Sequence, residues 1–358
     1  MAIYIRATGN ISIQDTLGKS HLEQPLAYTE PYVRCIEPDF KSYLTPLMLR
    51  RMSRIIKRAV VSSLVCLQEG GIEQPEAVIS GTGLGCIEDT EKFLSAMIDN
   101  DEKLLQPTYF IQSTHNTISS QIAIFLKCHS YNNTYTHRGV SFETALMDAF
   151  VLFKTGKIRN ALVGGHDEMT PLYFTQLRKL DFWKTQVHNS LNICTAPYNQ
   201  TVGAMAGEGS VCFLLSDEEN TRNYAEIKDM QLFYNIKDTE ILSQHIEQFL
   251  MHNNLNSSDI DVLLCGNSGD SLTDPLYHEI YNKQFFRSSY AVYKNLCGEF
   301  FTAPAFGLWS AASMLKNGQI PDIQRLNDVQ PARIKHILLF NHYKNKNYSL
   351  ILLSSCGF

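Results

Sequence analysis

Two kinds of apolar pattern alternate along the chain. Long segments with apolar residues three and four positions apart predict helices over 46–70, 89–98, 118–126, 141–155, 239–251 and 303–315. Short, mainly apolar runs predict strands at 76–80, 161–163, 211–215, 225–232, 261–265, 334–340 and 348–353, whereas residues 131–133 have the polar composition of a loop. Buried strands alternating with helices indicate a parallel or mixed sheet that helices cover on both faces.

The pattern runs twice along the chain. The most polar short stretch in mid-chain, 217–223, separates a first half of residues 1–216 from a second half of residues 217–358. Both halves end on a similar strand, Ser210–Ser216 in the first and Ser349–Ser354 in the second. We therefore expect one integrated domain made of two related α/β units.

Composition and charge narrow the range of functions. Of the 358 residues, 44% are hydrophobic, and 31 Lys and Arg stand against 36 Asp and Glu, which gives a formal charge of −5. This composition is typical of a folded globular protein, and the mild acidity argues against a nucleic-acid or anionic-membrane surface. The chain has no signal-like start and no apolar run long enough to cross a bilayer, which predicts a cytoplasmic protein.

The cysteines and glycines indicate neither a metal nor a cofactor. Nine cysteines are scattered singly without a CxxC pair, which is the pattern of free thiols in a reducing compartment. The turn Gly81-Thr-Gly-Leu-Gly-Cys86 follows a predicted strand, but its third glycine falls one residue too early for a dinucleotide fingerprint. The glycines are better explained by a tight backbone turn.

Three groups of residues, taken together, resemble a known family. They are Pro107–Asn116 with Gly164-Gly165, Ala196-Pro-Tyr198 with Gly207-Glu-Gly-Ser210, and the block from Lys294 to Ala311. In this order and at these spacings they resemble the β-ketoacyl synthases of the thiolase-like superfamily, along nearly the whole chain. The resemblance implies an α/β, thiolase-like fold of five layers, αβαβα, built from two pseudo-repeated halves.

The resemblance also implies where the family's catalytic residues should stand. Its enzymes carry the acyl group on a cysteine thiolate, and two histidines assist decarboxylation of the malonyl unit and stabilise the enolate. In this chain those three positions correspond to Gly139, Gly266 and Glu299, and only the family's lysine is retained, as Lys294. The family's glycine-rich gating turn corresponds to 341–347, which contains no glycine.

These replacements predict that the chain does not catalyse the condensation alone. A glycine can neither carry an acyl group nor donate a side-chain hydrogen bond, and a carboxylate repels a developing enolate. For Lys294 the simpler prediction is an ion pair that includes Glu299.

A fold kept without its catalytic residues can persist for an interface. In this family, active ketosynthases pair with inactive sister subunits called chain-length factors. Arg50–Ser53 and Ser113–Thr117 are similar to the subgroup from aryl-polyene and flexirubin pathways. The implied partners are an active ketosynthase and an acyl carrier protein, without a cofactor. Candidates for the shared tunnel and interface are Thr108, Phe110, His115, Asn116, Tyr135, His137, Arg138 and Tyr343.

A basic cluster offers a place for the acidic carrier. Arg50, Arg51 and Arg54 lie on the polar face of the predicted helix over 46–70, together with Lys57 and Arg58. They predict either a carrier-docking site or an ordinary solvated or acid-paired face.

Two other functions stay open on sequence grounds. Cys265 and Cys297 lie next to the altered catalytic positions, so a relocated cysteine could make the chain a stand-alone acyltransferase or thioester hydrolase. A non-catalytic acyl-chain binder would instead require a closed apolar pocket under Gly139.

Overall fold

The ten strands of the fold form one mixed sheet in which the order of the first half is repeated in the second. The computed structural model describes residues 2–103 and 105–356. The strands are β1 (Tyr4–Ile11), β2 (Ala77–Gly81), β3 (Tyr131–Tyr135), β4 (Asn160–Asp167), β5 (Gly209–Ser216), β6 (Ala225–Tyr234), β7 (Val262–Cys265), β8 (Ser289–Val292), β9 (His336–Tyr343) and β10 (Asn347–Ser354). Their spatial order is β3-β2-β4-β5-β1-β6-β10-β9-β7-β8.

Eleven helices in the described residues surround and divide this sheet. They are α1 (Pro46–Arg51), α2 (Arg54–Gly70), α3 (Ile87–Asp99), α4 (Pro107–Ser113), α5 (Thr117–Leu126), α6 (Ser141–Lys154), α7 (Pro171–Arg178), α8 (Thr239–His252), α9 (Pro275–Gln284), α10 (Lys294–Cys297) and α11 (Ala303–Asn317).

Strand directions confirm the predicted pseudo-repeat. In the first half β1 is antiparallel to β5, β5 to β4, and β4 is parallel to β2, which is parallel to β3. In the second half the same relations hold along β6, β10, β9, β7 and β8. The halves meet at two residue pairs between β1 and β6. The boundary after residue 216 stays a prediction.

Helices α6 and α11 form the central layer of the five. Their buried side chains join strands of both halves in one apolar cluster, while α2 and α5 cover the outer face of the first half and α8 and α9 that of the second. The packing is close: a Cβ on Gly81 of β2 would lie 2.5 Å from the carbonyl carbon of Ser141 at the start of α6. This layer brings the amino termini of α6 and α11 to one end of the sheet.

The structure corrects the predicted helix over 46–70. It is two helices, because Met52 and Ser53 have extended backbone between α1 and α2. Gln112 of α4 satisfies the polar groups exposed by this break: its Oε1 accepts a 2.9 Å hydrogen bond from Ser53 N, and its Nε2 donates to the Arg51 carbonyl.

The predicted loop at 131–133 was also wrong, since it belongs to strand β3. Its composition, Tyr-Asn-Asn-Thr-Tyr, is polar because β3 is an edge strand that pairs on one side only, with β2. The strand pattern of the sequence analysis favoured apolar runs, which detect central strands better than edges.

A buried ion pair ties α2 to the sheet. Arg58, predicted on the polar face, is fully buried, and its guanidinium contacts Glu208 at 2.8 Å and also Glu37. Glu208 additionally accepts hydrogen bonds from the backbone N–H groups of Cys35 and Met169 at 2.9 and 3.0 Å. Burial alone would raise the pKa of Glu208, but the charge of Arg58 and these donors hold it below its ordinary value.

We expect Glu208→Gln to lower the free energy of unfolding by about 3–5 kcal/mol, because it removes the fully buried carboxylate partner of the Arg58 guanidinium and leaves only the partly exposed Glu37. Urea denaturation at pH 7 measures this. The matched control is Glu218→Gln, which removes an exposed partner of Arg6 and should cost about 0–1 kcal/mol. Equal losses in the two variants would contradict the role given to the buried pair.

Candidate functional site

The motif resemblance assigns the nucleophile to position 139 and the two histidines to positions 266 and 299, and at position 139 an aromatic ring occupies the space of a side chain. Gly139 is buried in the turn that precedes α6, where a helix amino terminus would favour a thiolate. A Cβ on Gly139 would lie 2.5 Å from the Cβ of Tyr343 and 2.6 Å from its Cδ1. Real Cβ contacts are longer than this, so a cysteine at 139 requires Tyr343 to move.

A polar network fills the space at the first histidine position. Gly266 follows β7, and a Cβ on it would lie 2.7 Å from the Tyr277 hydroxyl and still closer to Asn341 Oδ1. That Oδ1 accepts hydrogen bonds from the hydroxyls of Tyr277 and Tyr293, at 3.4 and 3.1 Å. Side-chain oxygens therefore stand where an imidazole would have to enter.

The network continues to a buried carboxyl group, Glu143, in the first turn of α6. Its Oε1 accepts hydrogen bonds from Ser349 Oγ at 3.0 Å and from Asn341 Nδ2 at 3.4 Å. Burial raises the pKa of Glu143 to about 7, against the opposing effect of these donors. Sequence reasoning missed this group, although a glutamate directly after Phe142, at the start of a helix with a largely apolar face, was a usable signal.

The predicted ion pair between Lys294 and Glu299 is confirmed. Lys294 Nζ lies 2.7 Å from Glu299 Oε2, and the lysine is almost completely buried. The charges of Lys294 and Glu299 therefore neutralise each other locally.

A tight hairpin lies at 341–347, the segment that the motif resemblance assigns to the gating turn. Residues 344–346 join β9 to β10. The φ values of Lys344 and Asn345, 53° and 51°, place both in the left-handed region, and Lys346 N donates to the Tyr343 carbonyl at 3.1 Å. This pattern is typical of a type I′ turn, which fits directly between antiparallel strands. The ring of Tyr343 packs edge-on against Phe301 at 5.6 Å, which holds it over Gly139.

What remains of the site is a small cavity. Its volume is about 50 Å³, far below the several hundred Å³ of a typical ligand pocket. Its aromatic lining consists of Tyr173, Phe182, Trp183, Phe300, Phe301 and Tyr343. Its charged lining includes Asp167, Asp270, Glu299, Lys294 and Lys344. The closed apolar pocket required of an acyl-chain binder is not what lies under Gly139, because Tyr343 fills that space.

Asp167 connects the loop after β2 to the start of α11. Its Oδ1 accepts hydrogen bonds from Thr82 Oγ1 and the N–H groups of Gly83 and Leu84, and its Oδ2 accepts one from Thr302 N at the start of α11. Burial nevertheless raises its pKa to about 6. The sequence analysis did not single out this residue, and its position at the end of a buried strand was the available signal.

The predicted tunnel residues fall into two groups. Tyr343 lines the cavity and packs on Gly139. Arg138 directly precedes Gly139 in the chain, and Tyr135, at the end of β3, and His137 lie just before it. The other group lies on α4 and the turn that follows it. There Phe110 packs on Phe93 at 5.4 Å, Thr108 lines a basic groove, His115 packs on Gly85, and Asn116 is exposed.

The basic residues predicted for carrier docking are only partly free. Arg50 and Arg51 are exposed, whereas Arg54 forms a 2.6 Å ion pair with Glu88. The exposed pair borders an open groove of about 580 Å³, which Arg34, Lys57 and Lys92 also line.

The relocated cysteines lack the environment of a nucleophile. Cys265 and Cys297 are both fully buried, and burial raises the pKa of each thiol well above its ordinary value. Cys356 is half-buried, and burial raises its pKa to about 11. In residues 2–103 and 105–356, no group of three or more His, Cys, Asp or Glu could hold a metal ion. Within the same ranges no helix is both long and apolar enough to cross a membrane.

Comparison with known proteins places this geometry in the class of thiolase-like ketosynthase folds. The family model described as "Beta-ketoacyl synthase, N-terminal domain" matches residues 32–231, which is more than half of the chain. The chain therefore belongs to the β-ketoacyl synthase family. Among curated proteins no match was found.

Solved structures agree on the fold. The ishigamide ketosynthase/chain length factor is 14% identical, with 99% of both chains covered and a TM-score of 0.81. A ketosynthase (ApeO) in complex with its chain length factor (ApeC), from Xenorhabdus doucetiae, is 16% identical, covering 99% of this chain and 98% of that one, with a TM-score of 0.77. A β-ketoacyl synthase from Burkholderia phymatum has the same TM-score at 13% identity and 99% coverage of both.

Gly139→Cys alone should destabilise the protein by about 1–3 kcal/mol, because its Cβ overlaps the ring of Tyr343. In the double variant Gly139→Cys/Tyr343→Ala the overlap is gone, so the two losses should not add. A double-mutant cycle of urea denaturation measures the coupling, which we expect to exceed about 1 kcal/mol in the favourable direction. Additive losses would mean that Tyr343 does not exclude a side chain from position 139.

Iodoacetamide at pH 8 should leave Cys265 and Cys297 unmodified in the native protein, because burial excludes the reagent and keeps both thiols protonated. Peptide mass spectrometry after native and after denatured labelling measures this, and the denatured sample, with all nine cysteines accessible, is the control. Native labelling of either thiol at the rate of an exposed cysteine, or its acylation by an acyl thioester, would instead support an acyltransferase or thioester hydrolase that uses that cysteine as its nucleophile.

Proposed function

We propose that this protein is a non-catalytic, ketosynthase-like subunit of the chain-length-factor type, which pairs with an active β-ketoacyl synthase in acyl chain elongation. The observation that carries the proposal is the ring of Tyr343 in the place of the nucleophile's side chain. A chain with a merely mutated cysteine would keep an empty site, whereas here the surrounding residues have filled it.

The chemistry of the remaining residues supports a non-catalytic role. Condensation needs a thiolate, and the nearest thiols are buried with raised pKa values. It also needs hydrogen-bond donors toward the enolate oxygen, and Glu299 presents a carboxylate already paired with Lys294. Carbon–carbon bond formation is therefore assigned to the partner.

An unpaired sheet edge flanked by exposed apolar residues supports the pairing. Among residues 2–103 and 105–356, strand β3 has no neighbour on its outer side, and edges of this kind are normally covered in folded proteins. Around it lie five apolar side chains that are each at least 40% exposed, and contacts link the elements that carry them, namely α4, α5, β3 and α6. These side chains are Phe110, Ile111, Ile124, Tyr131 and Val151. A patch of this kind is typical of a protein interface, and an obligate one buries about 2,000 Å² or more.

The interface and the altered site are neighbours. The edge strand β3 ends at Tyr135, whose carbonyl accepts a 3.0 Å hydrogen bond from Thr82 N. Thr82 belongs to the loop whose hydroxyl and N–H groups donate to Asp167. His137, Arg138 and Gly139 follow directly in the chain. Residues of this segment and of α4 would therefore border a tunnel shared with the partner and limit the length of its product.

The similar structures named above include two that are described as a ketosynthase with a chain length factor. A third is described as a type II acyl carrier protein in complex with its ketosynthase, at 13% identity, with 99% of both chains covered and a TM-score of 0.79. On this analogy we propose an acyl carrier protein as the second partner, and the exposed Arg50 and Arg51 as residues that attract it. Assignment to an aryl-polyene or flexirubin-type pathway rests on the motif resemblance alone.

Ile124→Asp and Phe110→Asp should each weaken co-purification with an active ketosynthase encoded beside this protein by at least roughly tenfold, because each places a charge in the apolar patch. The wild-type pair is co-expressed, and complex formation is measured by size exclusion with light scattering. The control is Tyr234→Asp, at an equally exposed apolar position on β6, which should leave the complex intact. A soluble wild-type homodimer that forms no complex with the co-expressed ketosynthase would refute the proposed function.

A further inference from the structure

A lysine side chain of this protein contacts an aromatic wall of the small cavity described above. Lys344, at the tip of the hairpin between β9 and β10, places its Nζ 3.8 Å from the centre of the Phe182 ring and forms part of the cavity wall. An ammonium group at this distance from an aromatic face is within the range of a cation–π interaction. Among the described residues, Lys344 forms no ion pair.

The walls around this ammonium are suited to a cation. Six aromatic residues line the cavity, and Trp183 packs edge-on against Phe182 with ring centres 6.3 Å apart. Four acidic residues line it as well, and apart from Lys344 the cationic residue in the lining is Lys294, which Glu299 neutralises. Glu168 lies 3.9 Å from Arg54 Nε, so Asp167 and Asp270 remain as the acidic lining groups without an ion pair in the described residues. Aromatic faces together with surplus carboxylates are the pattern that recognises organic ammonium ions.

We propose that this cavity is a binding site for a small alkylammonium or quaternary ammonium ligand, and that Lys344 is its intramolecular occupant. A ligand of this class displaces the Lys344 ammonium from the face of Phe182 and takes its place between the aromatic walls. The volume of about 50 Å³ suits a head group and not an acyl chain. The inference does not depend on the proposed subunit role, because it requires no partner.

The hairpin explains how the site can exchange its occupant. Lys344 lies in the exposed three-residue connection 344–346, so its side chain can leave Phe182 without disturbing the hydrogen-bonded pairs of β9 and β10. Tyr343, the neighbouring residue, stays packed on Phe301 and Gly139. Displacement of Lys344 therefore opens the aromatic cavity without reopening the position of the catalytic cysteine.

Choline is the test ligand, and 3,3-dimethyl-1-butanol is its neutral counterpart of the same shape. Binding is followed by saturation-transfer NMR of the ligand methyl groups at constant ionic strength, with wild type, Lys344→Gln and Lys346→Gln. We expect choline to bind Lys344→Gln about 2- to 30-fold more tightly than wild type, which is the range of one cation–π contact expressed as affinity. The control Lys346→Gln, which removes a lysine two residues away that does not line the cavity, should match wild type.

A second variant locates the binding. Phe182→Leu in the Lys344→Gln background removes the aromatic face, and we expect it to weaken choline binding by a similar factor. Circular dichroism verifies that each variant is folded. Equal signals from choline and the neutral alcohol, equal affinity of Lys344→Gln and wild type, or no choline binding to the folded Lys344→Gln protein would each overturn the proposal. None of these outcomes bears on pairing with a ketosynthase, so the two proposals fail independently.

Discussion

The two helices packed between the halves of the sheet set the geometry of everything else in this protein. Helices α6 and α11 share one apolar layer with strands from both halves, and their approach to the sheet is close enough to require glycine at position 81. Because both helices begin at the same end of the sheet, the turns that precede them converge. Gly139 precedes α6, and Glu299 lies shortly before α11. The layer thus preserves the shape of a catalytic centre regardless of which residues stand in it.

At the positions that the motif resemblance assigns to catalysis, neighbouring side chains fill the available space. Protein interiors tolerate neither voids nor overlap, so a cysteine replaced by glycine leaves space that a neighbour must fill. The ring of Tyr343 does this at Gly139, and Asn341 with two tyrosine hydroxyls does it at Gly266. At the third position the lysine of the family survives because Glu299 provides a partner for its charge.

Much of the fold was predictable from the sequence, and the exceptions have physical reasons. The central helices and the strands that are apolar on both faces carry strong periodicity, and α6, α11, β5 and β10 lie where the pattern predicts them. Strand β3 was missed because an edge facing outward carries polar residues, and the break before α2 was missed because Gln112, distant in sequence, stabilises it. The assignment of positions 139, 266 and 299 to the family's catalytic residues rests on motif spacing and stays a prediction. The contact between the Tyr343 ring and Gly139 could not be predicted, because it depends on how the hairpin between β9 and β10 packs on a turn distant in sequence.

The type I′ turn at Lys344 and Asn345 has an evolutionary consequence. A glycine-rich loop can swing, and a site guarded by one can regain function whenever a nucleophile reappears by mutation. The short hairpin between β9 and β10 places Tyr343 against Gly139, so a cysteine that arises at position 139 overlaps the tyrosine ring. The hairpin therefore couples position 139 to residues distant in sequence: a side chain fits at 139 only if Tyr343, or the hairpin that carries it, changes as well.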